Sequence, residues 1–329
     1  MTQHDDLRIL CSPAEAPALH QALAGSGQPY TLCHPQHGKP SDAQVAFVSR
    51  DITGASTKFQ ITPETALYYE AMRDAPALRW AHVHSAGADR EIYQSLHARG
   101  VAITTSQGAS DAVVAQTAIG GVLALARCLP QLAADQREHA WRPLLGPRTP
   151  RDLAGQHAVV VGWGGIGQRI GEWLLALGLT LSVVRHSATP VAQARRTVVY
   201  GELPGLLPEA DWLVLACPLT PATRELVDRR ALAALPAHAS VINVARGHVI
   251  DEPALIDALA AGRLGGAFLD VFQQEPLPPE SPLWALDNVI VTPHSAGFSD
   301  GNPARVRGLF LDNLRRWMQD EPLVHRLIG

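Results

Sequence analysis

The stretch Val159-Val160-Val161-Gly162-Trp163-Gly164-Gly165-Ile166-Gly167 constrains the fold more than any other part of the chain. A run of β-branched residues reads as a buried strand, G-x-G-x-x-G closes it in a tight turn, and the pattern of 165–177 reads as a helix. The first glycine admits the turn, the second lets a pyrophosphate approach the backbone, and the third lets helix and strand pack closely. The helix N-terminus then presents free N–H groups and partial positive charge to phosphates. With a second strand expected at Leu179–Val184, this is a βαβ unit of a dinucleotide-binding sheet. Gly162, Gly164, Gly165, Ile166 and Gly167 are its phosphate-facing residues.

The end of the second strand speaks to which dinucleotide binds. An acidic residue there accepts from the ribose 2′-hydroxyl, but this strand ends Val183-Val184-Arg185-His186-Ser187. A guanidinium at that position pairs with a 2′-phosphate, and Ser187 can donate beside it. The expectation is NADP(H), with Arg195 or Arg196 from the following loop as further donors. The alternative is an Arg185 in solvent beside NAD(H).

Around this unit, short apolar runs alternate with helical patterns. Strands are expected at Leu7–Ser12, Pro29–Cys33, Gln44–Ser49, Leu78–Ser85 and Val101–Thr105, with helices at 13–24, 63–75 and 89–98. A long helix at 109–129 leads to a Pro-containing segment, 131–152, with no period. From Gln156 the alternation restarts, with strands at His157–Val161, Asp211–Cys217, Ala239–Ala245, Gly265–Phe272 and Val289–Thr292, and a final helix at 303–319. Such alternation builds parallel sheets covered by helices on both faces, an α/β fold.

Composition excludes other classes. A chain of 329 residues, 47% apolar and 18% charged, carries large buried layers and has room for roughly two domains. A net charge of −4, with no run of basic residues beyond a pair, gives no field for nucleic acid or anionic membrane. The apolar stretch Ala112–Ala126 is too short to span a bilayer, and the polar start Met1-Thr2-Gln3-His4-Asp5-Asp6 is no signal peptide. Cys11, Cys33, Cys128 and Cys217 are too scattered for a disulfide scaffold or a zinc ribbon, which fits a reducing cytoplasm and no metal site. Lys39 and Lys58 are the sole lysines, and neither sits in a glycine-rich phosphate loop.

Three later segments end expected strands with reactive side chains: Ile242-Asn243-Val244-Ala245-Arg246-Gly247, Leu269-Asp270-Val271-Phe272-Gln273-Gln274-Glu275-Pro276, and Val291-Thr292-Pro293-His294-Ser295. Residues just past the carboxyl ends of parallel strands face the ligand crevice. Taken together they supply a cation for a carboxylate, an acid and an imidazole.

With Pro218-Leu219-Thr220-Pro221-Ala222-Thr223-Arg224, these segments make the chain resemble the D-isomer-specific 2-hydroxyacid dehydrogenases from about Val101 onward. The first hundred residues match loosely, chiefly at His84-Ser85-Ala86-Gly87-Ala88-Asp89. The resemblance implies a Rossmann domain, 106–294, inserted into a smaller flavodoxin-like substrate domain, 1–105 with 295–329. It implies hydride transfer between the dinucleotide and C2 of a small 2-hydroxy or 2-keto acid, with His294 as general acid/base. Glu275 would orient His294, and Arg246 would bind the substrate carboxylate. Backbone N–H groups of Ser85, Ala86 and Gly87 would hold that carboxylate too. Cys217, Pro218 and Thr223 would line the adenosine and phosphate edge, and Val244 and Asp270 would meet the nicotinamide amide.

A homodimer is implied, built on the Rossmann domain and the arm at 125–150. Trp141 in that arm would reach the other subunit's pocket or pack in the contact. Arg185 draws the expectation toward NADPH-using glyoxylate/hydroxypyruvate reductases. Glu275 departs from the Gln of the family's formate dehydrogenases, and the chain shows no regulatory extension of the kind found on many phosphoglycerate dehydrogenases. The alternative is a dinucleotide-sensing corepressor, since such proteins share the fold and the three side chains.

Overall fold

The computed structural model describes residues 6–25, 27–37, 41–54, 56 and 60–327, so Lys39 and Lys58 lie outside the described residues. The chain divides into two units, Met1–Ser110 with Ser299–Gly329, and Asp111–Phe298.

In the first unit, β1 (Leu7–Leu10), β2 (Tyr30–Cys33), β3 (Val45–Val48), β4 (Trp80–Val83) and β5 (Ala102–Thr105) form a parallel sheet in the order β2-β1-β3-β4-β5. This is the flavodoxin-like order. Every residue of β3, β4 and β5 is buried, as expected of strands covered on both faces. The amphipathic helix Asn302–Met318 brings Phe310 onto one face, stacked on Phe47 at 4.4 Å and on Trp80 at 5.3 Å between ring centroids. Burying such a ring contributes about 1.5–3 kcal/mol. The chain then returns along β5, where Thr105 N–H donates to His325 O and Leu327 N–H to Ile103 O.

The second unit holds β6 (His157–Val161), β7 (Thr180–Arg185), β8 (Arg196–Val199), β9 (Trp212–Leu215), β10 (Ser240–Asn243), β11 (Gly266–Leu269) and β12 (Val289–Val291). All pair in parallel, in the order β12-β11-β10-β9-β6-β7-β8. The order reverses between β6 and β9. At that switch point, outside the carboxyl ends of the strands, an open parallel sheet binds its ligand. One core cluster includes Val159, Val161, Val184 and Leu213, and a second takes the alternate positions, Ala158 and Val160 with Ile170, Leu181 and Val214.

Two elements depart from the sequence reading. The segment expected to lack a period opens with a helix, Leu129–Arg137, set at 66° to Asp111–Ala126 after a left-handed residue, Cys128, at φ 54°. Its Asp135 is buried and accepts from Arg142 at 2.8 Å and Arg148 at 2.5 Å, so long-range ion pairs hold the arm that no local pattern announced. No single described helix is long and apolar enough to cross a membrane. The other departure is β8, a four-residue edge strand with only Val198 buried, whose short Val198-Val199-Tyr200 run follows directly on Arg195-Arg196-Thr197.

Candidate active site

The dinucleotide loop follows from steric limits at its glycines. Gly162 follows β6 at φ 99°, and a Cβ there would stand 2.6 Å from the backbone of Ala216 and Cys217 just past β9. A Cβ on Gly167 would stand 2.0 Å from Gly162 O, so the helix Gly165–Ala176 can start this close to the strand only without side chains. Gly164, the N-cap, is different: a Cβ there would meet nothing within 4 Å among the described residues. That open cradle at a helix N-terminus fits a pyrophosphate. Gly165 faces the Asp111 carboxylate, which a Cβ would strike at 1.8 Å, while Ile166 packs against the core cluster beneath.

Arg185 ends β7, and its Nε is buried without a hydrogen-bond partner among the described residues. An unsatisfied buried donor costs free energy until a ligand meets it, so this site fits a group with acceptor oxygens. Ser187 Oγ lies 3.2 Å from Thr189 Oγ1 on the exposed turn beyond. Arg195 and Arg196 do not join them. In the β7–β8 register Arg185 faces Val199, whereas Arg196 faces Ser182, and Arg195 N–H donates to Leu181 O. Three residues of strand, roughly 10 Å, put both arginines toward the amino end, away from the ligand edge. Tyr200, which the sequence reading passed over, follows Val199 directly and packs on the cluster containing Val184 and Cys217.

The loop after β9 carries the next three expected contacts. Cys217 is buried, and burial pushes its thiol up to about 12. Thr223 is fully buried, with Oγ1 donating to Pro218 O at 2.7 Å and accepting from Thr220 N–H at 2.8 Å. Its side chain therefore folds from within the 218–223 turn that is expected along the adenosine edge. Pro218 sits at the start of that turn.

The three reactive side chains stand on loops locked by buried polar groups. Asn243, 1% exposed at the end of β10, accepts from Ala245 N–H and donates to Arg246 O, closing a turn around the buried Val244. Arg246 emerges from it, with Nη1 donating to Ala245 O at 2.7 Å. Behind it a Cβ on Gly247 would stand 1.9 Å from the Phe272 carbonyl carbon, so this loop touches the one that carries Glu275. Glu275 Oε1 accepts from Phe272 N–H at 3.1 Å, and Oε2 meets His294 Nδ1 at 2.8 Å. Burial pushes the Glu275 carboxyl up, but the His294 hydrogen bond and charge, Phe272 N–H and the Arg246 charge outweigh it, leaving it below the usual carboxylate range.

His294 adopts φ 51°, a left-handed conformation that a side-chain-bearing residue holds only when its surroundings dictate it. Those surroundings are Asp270. Its Oδ1 accepts from Thr292 Oγ1 and from Ser295 and Ala296 N–H, its Oδ2 accepts from Ala296 N–H, and its carbonyl accepts from His294 N–H. Asp270 is 2% exposed. Its carboxylate is hydrogen-bonded to the 292–296 loop, so it holds His294 in place, a role apart from the expected contact with the nicotinamide. With Nδ1–H donated to Glu275, Nε2 is the nitrogen left for chemistry, and the ring is half-exposed.

Two further expected contributions come from other segments of the chain. Ser85, Ala86 and Gly87 belong to the first unit, just past β4, with Ser85 Oγ donating to Gly87 O at 2.6 Å. None of their three N–H groups donates to a backbone carbonyl among the described residues. Trp141, in the arm, is 96% exposed.

Comparison with known proteins agrees with a dinucleotide-binding α/β fold. A model of the D-isomer specific 2-hydroxyacid dehydrogenase NAD-binding domain matches residues 119–296. A glyoxylate/hydroxypyruvate reductase of Arabidopsis thaliana is 30% identical over 284 residues, 86% of this chain and 86% of that protein. A hydroxyphenylpyruvate reductase of Plectranthus scutellarioides is 32% identical over 250 residues, 76% of this chain and 78% of that protein. A D-isomer specific 2-hydroxyacid dehydrogenase from Xanthobacter autotrophicus Py2, solved with NADPH and MES, superposes with a TM-score of 0.75 at 29% identity, over 98% of each chain.

Proposed function

The chain belongs to the D-isomer specific 2-hydroxyacid dehydrogenase family, and from that footing we propose that it reduces short 2-keto acids, glyoxylate and hydroxypyruvate foremost, with NADPH preferred over NADH. The bound dinucleotide supplies the hydride that adds to C2. His294 gives the proton to the keto oxygen from Nε2, or takes the hydroxyl proton in reverse, and Glu275 holds the ring through Nδ1. Arg246 binds the substrate carboxylate through its planar fork. The N–H groups of Ser85, Ala86 and Gly87, which donate to no backbone carbonyl among the described residues, form an anion-binding loop on the first unit.

The observation that carries this reading is the 2.8 Å contact between His294 Nδ1 and Glu275 Oε2, which fixes an imidazole with one nitrogen committed and the other available. The NADP(H) preference rests on the partnerless buried Nε of Arg185. The choice of substrate rests on the Arabidopsis thaliana relative.

The proposal extends to a homodimer formed through the arm. There Trp141 and Leu145 are 96% and 71% exposed on a segment braced by the Asp135 ion pairs, which supports a face that a second copy covers. Trp141 would then limit substrate length in the partner. All four cysteines are free thiols, in keeping with a reducing cytoplasm.

Initial rates with glyoxylate, hydroxypyruvate and pyruvate, each with NADPH and NADH, test the proposal on the wild type and on Arg185→Asp. NADPH should lead by about tenfold or more in kcat/KM, from a charge-assisted contact of about 1.5–3 kcal/mol, and Arg185→Asp should reverse the order. A wild type that prefers NADH sinks the cofactor assignment; failure to turn over any of the three acids sinks the substrate assignment.

A further inference from the structure

We propose that Tyr200 is a second selectivity residue of the dinucleotide site, its hydroxyl donating to the same 2′-phosphate that Arg185 binds. The inference rests on the NADP(H) reading above.

Val199 is the register partner of Arg185 across β7 and β8, and Tyr200 is the next residue, where the chain turns into the helical turn Tyr200–Gly205. The ring is partly buried against the cluster that includes Val184, Val198 and Cys217. Tyr200 and Arg185 thus share the carboxyl edge of the sheet beside the β6–β9 switch point, where parallel sheets bind dinucleotides. The hydroxyl makes no hydrogen bond among the described residues and, unlike the buried Arg185 Nε, is open to solvent and so within reach of a ligand. The carboxylate nearest in sequence, Glu202, accepts from Val199 N–H at 3.2 Å and caps the turn. Burial raises the Tyr200 phenol and Cys217 raises it further, against the opposing Arg185 charge, so the hydroxyl keeps its proton near neutral pH. It is a donor there.

A phosphate monoester presents three oxygens and close to two negative charges. One planar guanidinium cannot meet all of them, and a neutral phenol adds a donor without adding a charge that would attract unrelated anions.

The test is calorimetric titration of the full chain with adenosine 2′,5′-bisphosphate and with adenosine 5′-monophosphate, which differ only in the 2′-phosphate. The wild type, Tyr200→Phe and Arg185→Ala are compared. Tyr200→Phe should weaken bisphosphate binding about tenfold, the lower end for a hydrogen bond to a charged group, and leave the monophosphate within about twofold. Arg185→Ala should show the same selective loss. If Tyr200→Phe binds the bisphosphate as the wild type does while Arg185→Ala does not, the Tyr200 inference fails and the NADP(H) reading stands. Equal weakening of both ligands by Tyr200→Phe makes the ring a wall of the adenosine pocket and also overturns it. A wild type that binds both ligands equally overturns the inference and the NADP(H) reading together.

Discussion

Replacing Glu275 with Gln isolates what the carboxylate does for His294. The bond it breaks is short, 2.8 Å, but the two side chains are 26% and 47% exposed, so solvent screens part of the charge. Hydrogen bonds to charged groups contribute about 1.5–3 kcal/mol. Screening places this pair near the lower end, about 1.5–2 kcal/mol, or roughly a ten- to thirtyfold fall in kcat at 1.4 kcal/mol per decade. Gln keeps a carbonyl oxygen for Phe272 N–H, so the 272–275 loop should hold its shape. What Gln cannot do is hold Nδ1–H against a negative charge while Nε2 takes or gives a proton. His294→Ala removes the proton carrier itself and should cost roughly 10²–10⁴ in kcat. Because the two residues act as a unit, the double variant should be little worse than His294→Ala alone. The assay is steady-state reduction of the best keto acid by the three variants at saturating cofactor. Additive losses in the double variant, or wild-type turnover in Glu275→Gln, would refute the pairing as the source of His294 function.

Further outcomes follow from other parts of the molecule. Arg246→Lys should cut kcat/KM steeply, since an ammonium offers no planar pair of N–H donors to a carboxylate; a change of only a few-fold removes Arg246 as the clamp. Trp141→Ala should widen acceptance toward longer keto acids, and an unchanged substrate profile assigns Trp141 to packing alone. His82 is fully buried between Thr104 and Ser106 hydroxyls, at 2.8 and 3.0 Å, and burial pushes it down to about 3. An unfolded histidine titrates near 6.5, so stability is full above that pH and falls on acidification toward 3. About 2 kcal/mol should be gone by pH 5. Urea unfolding at pH 7.5 and 5.0 should show that loss, with a smaller pH difference in His82→Phe; an equal difference in both assigns the acid sensitivity to other groups.

The sheets and the phosphate loop were legible because their signals are local. Buried parallel strands read as short apolar runs, and G-x-G-x-x-G between a strand and a helix admits few other folds. Arg246, Glu275 and His294 were legible as strand-end residues, and the structure brings their loops together in one unit. What the sequence withheld was direction. Arg195 and Arg196 read as loop residues near a phosphate because β8 is too short and too exposed to show as a strand, and only its register reveals the wrong end of the sheet. Thr223 and Asp270 read as cofactor contacts, and their part in anchoring loops is invisible in sequence, because polar side chains beside a ligand edge look alike whether or not they also hold a loop.

That ambiguity points to how the site is built. Asn243, Thr223 and Asp270 each stand at or beyond the carboxyl end of a strand, each is at most 2% exposed, and each directs its polar atoms to a loop of the site, Asn243 and Thr223 to their own and Asp270 to the 292–296 loop. A buried polar group left without partners costs about 1–3 kcal/mol, so each of these loops is fixed by the penalty for opening it. Gly247 adds a steric lock, since a Cβ would enter the Phe272 carbonyl and push the Arg246 and Glu275 loops apart. Asp270 bears the heaviest duty, because the left-handed backbone of His294 persists only while the 292–296 loop is held. The side chains proposed to meet substrate are thus left partly exposed, while the residues that aim them are buried. Asp270→Asn should therefore impair turnover more than it impairs dinucleotide binding, since an amide puts N–H donors where one carboxylate accepts from Ser295 and Ala296 and the loop that aims His294 loses its anchor. Kd for the dinucleotide and kcat for the keto acid, measured on the same preparation, separate the two effects. A variant that keeps its turnover and loses only dinucleotide affinity would return Asp270 to the cofactor.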